Sequence, residues 1–220
     1  MLVLFLGCSS KTEGAAPPVS EVKTVTASAP ATTDWRPLIP AGANIEERLN
    51  ADLDGDGTNE LIVLSSKVDP DVAETQGANK EQTRMELELT LQIFSKCAVG
   101  FAEIGRSEML GGPQPLKVTN LQGGGKRKMV VASALHCGGS CAGIELHVLT
   151  VRDQRVQHLL DRESVNKGYF MITPDGALEV RELISSTAED RLAAGYRIIR
   201  YVMKGDTLVA VSKRKIPPNH

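Results

Sequence analysis

Asp52-Leu53-Asp54-Gly55-Asp56-Gly57-Thr58-Asn59-Glu60 runs without a break into Leu61-Ile62-Val63-Leu64. Carboxylates fall at positions 1, 3, 5 and 9 of this loop, and Gly57 at position 6 lets the backbone turn sharply. Hard oxygen donors so spaced converge on a calcium ion. The expected ligands are the side chains of Asp52, Asp54, Asp56 and Glu60 and the backbone carbonyl of Thr58. The apolar run that follows is short and β-branched, so the loop leads into a strand.

An EF-hand is excluded, because its bidentate Glu at position 12 is here Val63 and a strand pattern, not a helix, follows. Beyond the loop the pattern stays β. Candidate strands are 60–66, 85–95, 98–104, 115–120, 127–135, 143–151, 155–160, 168–172, 177–184, 194–203 and 207–213, separated by Gly, Asp and Asn turns. Leu87, Leu89, Leu91 and Ile93 alternate with Glu86, Glu88, Thr90 and Gln92, the pattern of a strand with one wet face. Lys204-Gly205-Asp206 reads as a hairpin turn, and 67–84 as a long polar loop.

Shifted by 68 residues, Asn120-Leu121-Gln122-Gly123-Gly124-Gly125 falls under Asp52-Leu53-Asp54-Gly55-Asp56-Gly57, and Met129-Val130-Val131 falls under Leu61-Ile62-Val63. The second copy keeps turn and strand but loses the ligands, with Lys128 in the place of Glu60. A cationic side chain there would stand where the metal charge sits, although a solvated surface lysine is the simpler expectation.

The loop and strand together resemble the unit of FG-GAP or VCBS repeats, which form β-propeller blades. Pro37-Leu38-Ile39-Pro40-Ala41-Gly42 and Ile45-Glu46-Glu47 resemble the lead-in of small exported bacterial proteins carrying one such loop. The resemblance implies side-chain ligation by Asp52, Asp54, Asp56 and Glu60, with Glu60 in place of the more usual Asp. A closed propeller needs about 4 to 8 blades. Roughly 180 folded residues at this repeat length supply fewer than three. The expected fold class is therefore all-β, an antiparallel meander of blade-like units forming an incomplete or open propeller-like domain over 35–216.

At the N-terminus, Leu4-Phe5-Leu6-Gly7-Cys8 resembles a bacterial lipobox, which implies lipidation of Cys8 and a signal segment over 1–8. No Lys or Arg precedes Cys8, so further upstream residues are expected. Residues 9–34 are rich in Ser, Thr, Ala and Pro without apolar periodicity, as a disordered tether would be. The lipobox resemblance, with Ser9 rather than Asp after the cysteine, implies sorting to the outer membrane as in Gram-negative lipoproteins. The expected setting is the bacterial cell envelope, with the lipid as membrane partner and a protein or envelope component as binding partner.

A net charge of −2 supplies no basic field for nucleic acid, and 4% aromatic residues are too few for a stacking platform. Export would favour disulfides. Cys137 and Cys141 are the closest pair, while Cys97 leaves other pairings open. His136, Cys137, Cys141 and His147 also read as a soft-ligand metal cluster, and His147 and His158 fall diagonally on one face of a hairpin turning near Asp153-Gln154. Neither a Gly-x-Ser-x-Gly elbow nor a His-Glu-x-x-His helix is present, so a binding or scaffold module is expected before an enzyme. The alternatives are a cell-envelope hydrolase with 67–84 as a lid and a redox or metal-handling protein acting through Cys137 and Cys141.

Overall fold

Leu61-Ile62-Val63-Leu64 can be apolar on both sides because the strand containing it lies inside a sheet with cover on each face. The computed structural model describes residues 32–68, 87–136, 143–185 and 193–217. Cys8, Cys137, Cys141, the tether up to residue 31 and most of the expected lid lie outside the described residues.

The first sheet is a meander of β1 (Asn44–Ala51), β2 (Glu60–Val68), β3 (Leu87–Cys97) and β4 (Gly100–Leu110). In the second sheet β5 (Gly112–Pro113) and β6 (Lys117–Thr119) share one edge of β7 (Met129–His136), which continues to β8 (Gly143–Arg152) and β9 (Arg155–Asn166). The third comprises β10 (Tyr169–Ile172), β11 (Leu178–Ser185), β12 (Ala193–Lys204) and β13 (Thr207–Ile216). All pairings are antiparallel. One 3-10 turn, Arg36–Leu38, is the only helical element among the described residues.

The three meanders stack face to face. Ile62, Leu64, Leu89 and Leu91 of the first sheet pack on Val130, Ala132, Ala134, Leu149 and Val151 of the second. From the other side of the second sheet, Met129, Val131, Leu146 and Val148 pack on Leu178, Val180, Met203 and Leu208 of the third. The alternation along β7 serves both layers, even-numbered residues facing one neighbour and odd-numbered residues the other. No hydrophobic cluster among the described residues joins the first sheet to the third. The fold is an open all-β stack.

Three expectations are corrected here. Among the described residues the stack contains three units, not fewer, because the third does not repeat the glycine-rich loop: β10 and β11 are joined by the short turn Thr173-Pro174-Asp175-Gly176-Ala177. The first unit begins with β1, which the strand pattern does not reveal; Asn44–Ala51 is a charged, largely exposed edge strand whose Glu47 accepts the Leu116 backbone N–H at 2.7 Å. The wet face expected of β3 is also covered near its centre. Gln92 is buried and donates to the Leu38 carbonyl at 2.9 Å and to Glu103 at 2.7 Å, while Trp35, Leu61, Val63 and Phe94 close that face below the 3-10 turn.

Candidate metal centre

The loop between β1 and β2 folds around its own backbone donors. Asp52 accepts the N–H groups of Gly55 at 2.7 Å and Gly57 at 3.0 Å, and Asp54 accepts that of Asp56 at 3.1 Å. Both turn glycines have positive φ, +83° for Gly55 and +92° for Gly57, a region costly for residues bearing a Cβ. The carboxylates of Asp52, Asp54 and Glu60 each offer an oxygen within 4.8 Å of the others. Asp56 is exposed and accepts the Thr58 N–H at 2.6 Å, and it is not among the three that converge.

Glu60 is the least expected of the three, because it is only 3% exposed. Burial pushes its carboxyl above the ordinary carboxylate range; the Leu53 N–H at 2.7 Å works in the opposite direction, and the charges of Asp54 and Asp56 add to the rise. A divalent cation among these oxygens would reverse that penalty, so the donor set fits a hard ion such as calcium.

Leu53 ties the loop to the rest of the molecule. Its side chain is wholly buried in the first core, and its carbonyl accepts the Lys128 N–H at 3.0 Å. Under the 68-residue shift its counterpart is Leu121, buried in the second core. The second loop in turn meets the third sheet: the Gln122 N–H donates to the Gly176 carbonyl at 2.7 Å, and its carbonyl accepts the Met203 N–H at 2.8 Å. The loops therefore form a column along one end of the stack, and a buried leucine keys each of the first two. Lys128 contributes backbone to this column, its carbonyl accepting the Thr150 hydroxyl at 3.1 Å.

A second cluster lies between β4, β8 and β9. His147 is 7% exposed; its Nε2 lies 2.8 Å from Glu145 Oε1, and its Nδ1 lies 2.7 Å from Ser107 Oγ and 3.1 Å from Asp161 Oδ1. His158 Nδ1 reaches the same Asp161 oxygen at 3.1 Å, and its Nε2 faces the Arg106 carbonyl at 3.3 Å. Of the expected soft-ligand group, His136 and His147 approach the two oxygens of one carboxylate, His136 Nε2 standing 3.4 Å from Glu145 Oε2. Ser107 touches an imidazole, but it is 4% exposed and forms no part of the nearby cleft, so the contact orients a ring without presenting a nucleophile. That cleft, about 580 Å³, is lined by Glu88, Thr90, Glu108, Met109, His136 and Glu145 among others.

Burial alone would lower the His147 pKa, but Asp161 and Glu145 outweigh it and raise the group from 6.5 to about 9. The same contacts hold Glu145 and Asp161 below the usual carboxylate range against the effect of burial. A base whose pKa rises on folding stabilises the fold fully below its unfolded value and loses that contribution as pH climbs through the folded one. Metal-free protein is therefore expected to lose stability between about pH 6.5 and 9. Denaturant melts across that range in chelator should show the decline, and His147→Gln should flatten it.

Cys97 makes no disulfide among the described residues, and its Sγ lies 3.4 Å from the Gly100 carbonyl. Compared with protein-family models, with curated proteins and with solved structures, the chain matches none.

Proposed function

We propose that this chain is an exported, lipid-anchored binding or scaffold module whose loop 52–60 holds a structural calcium ion. The observation that carries the calcium reading is the convergence of Asp52, Asp54 and the buried Glu60 at the junction of β1 and β2, within a sequence that resembles FG-GAP and VCBS loops. Asp56 and the Thr58 carbonyl complete the proposed ligand set, directly or through water. The ion offsets the repulsion of crowded carboxylates and stiffens the column of loops, leaving the sheet surfaces to engage an envelope partner. Anchoring through Cys8 rests on the lipobox resemblance.

Extracellular-type sites bind with dissociation constants of about 0.1–1 mM, so 1 mM calcium should add roughly 0.4–1.4 kcal/mol of stability. Thermal melts in calcium and in chelator should differ by that amount, and Asp54→Ala should remove the difference while keeping the β-type circular dichroism. Equal melts of the native chain in both conditions would overturn the site. For the anchor, palmitate incorporation in a bacterial host should be seen with Cys8 and lost in Cys8→Ser.

A further inference from the structure

The cluster between β4, β8 and β9 has a construction that ion pairing alone does not require. His158 and Asp161 are three residues apart on one strand, a spacing that in regular β structure sends side chains to opposite faces. The β8–β9 register shifts between Val148 and Leu149, pairing His147 with Asp161 but Leu149 with His158. The extra residue brings His158 and Asp161 back to the face that carries His147. On the neighbouring sheet Gly105 lets β4 come close, since a Cβ there would lie 2.5 Å from that of Val156, and the Arg106 carbonyl thereby reaches His158.

Each imidazole is held from behind and turned inward. Glu145 accepts from Nε2 of His147, and the Arg106 carbonyl from Nε2 of His158. With those outer N–H bonds made, the Nδ1 atoms of both rings stand 3.1 Å from Asp161 Oδ1, where the proton of the His147 imidazolium lies in the metal-free chain and where a metal ion could displace it. The His147 nitrogen also has the Ser107 oxygen at 2.7 Å, so one proton would have to serve two oxygens. A metal ion held by the two Nδ1 atoms and Asp161 Oδ1 would replace that proton, with the Ser107 hydroxyl turning aside. Bonds of about 2.0–2.1 Å to nitrogen and oxygen give ligand–ligand edges of about 3.0–3.4 Å, close to the 3.1 Å of the two histidine–Asp161 edges, and all three atoms lie within 4.8 Å of one another.

The geometry points to a binding site for a divalent transition ion of the zinc type, with His147 Nδ1, His158 Nδ1 and Asp161 Oδ1 as ligands and Glu145 and the Arg106 carbonyl fixing the two rings. Two imidazoles and one carboxylate suit such an ion better than calcium or magnesium, which favour oxygen. Carboxylate and carbonyl acceptors behind the ligating histidines are the arrangement by which zinc sites fix tautomer and ring orientation. Asp161 and Glu145 together supply two negative charges against a divalent cation. Asp161 is about half exposed, which gives the ion a way in and leaves room for water as a further ligand.

The test uses the full chain, stripped with chelator and titrated with cobalt(II) by visible absorption and with zinc by calorimetry. One ion per chain should bind in addition to calcium, with d–d bands of a nitrogen and oxygen environment and no thiolate charge-transfer band. His158→Ala and Asp161→Asn, both at the accessible side, should each weaken binding at least tenfold. Glu145→Gln should weaken it about 10–100-fold while circular dichroism stays unchanged. Asp54→Ala and the Cys137→Ser/Cys141→Ser double variant should bind as the native chain does. Absence of cobalt or zinc binding at micromolar protein would overturn the proposal. So would binding unchanged in His158→Ala and Asp161→Asn, or abolished in the cysteine double variant.

Discussion

Leu53→Ala is expected to lower stability by about 2–5 kcal/mol, the range for truncating a fully buried leucine. At roughly 2–4 °C per kcal/mol for a chain of this size, the melting temperature should fall visibly. Leu53 sits between proposed ligand positions, yet its side chain is in the core shared with Ile62, Leu64, Val130 and Leu149, and its backbone binds both Glu60 and Lys128. The cavity would open beneath the loop, where the two strands joined by it cannot close the gap without moving the carboxylates. The variant should therefore lose both stability and part of its response to calcium. Leu53→Met, which conserves volume, should cost less than about 1.5 kcal/mol. Urea melts with and without calcium measure both effects; an alanine variant within about 0.5 kcal/mol of the native chain would show that the loop is not keyed into the core.

Gly123→Ala should cost about 2–4 kcal/mol, combining backbone strain with a collision. Gly123 has φ of +87°, and a Cβ built there would lie 2.2 Å from the Met203 carbonyl oxygen. Relief would require the loop to retreat from β12, breaking the bond between the Met203 N–H and the Gln122 carbonyl and loosening the second sheet from the third. Gly125 provides the control. Its φ is +66°, but nothing lies within 4 Å of the position a Cβ would take, so Gly125→Ala should cost only the strain, about 1–2 kcal/mol. Equal losses in the two variants, read from denaturant midpoints, would rule out close approach as the reason for glycine at 123.

Much of the β architecture is legible in the chain because strand signals are local. Alternation in β3, the apolar run of β2 and the Lys204-Gly205-Asp206 turn each declare themselves within a few residues. The charged β1 does not, since an edge strand needs few apolar residues and gains its partner from β2. The third unit escapes the repeat because a five-residue turn replaces the glycine-rich loop while the meander survives. For the candidate site, the carboxylate spacing is visible, but the burial of Glu60 depends on the neighbouring sheet and is not. The grouping of His158 with Asp161 is hidden for a different reason: a bulge changes which face a residue takes, and strict alternation separates them. Leu121 beneath Leu53 is the sequence signal that could have revealed the keyed column of loops.

Hydrogen-bonded pairing among the described strands never leaves a run of consecutive strands, and that locality has a consequence for how the protein acquires its structure. A growing chain can close its first meander before the last one exists, and no strand has to wait for a distant terminus to reach it. The middle meander is the exception in energetic terms, because both of its faces are apolar and it is covered only when each neighbour has docked. Amide exchange should therefore be slowest there, with the two outer layers opening independently at lower cost, as in a linear array whose stability resides in its interfaces.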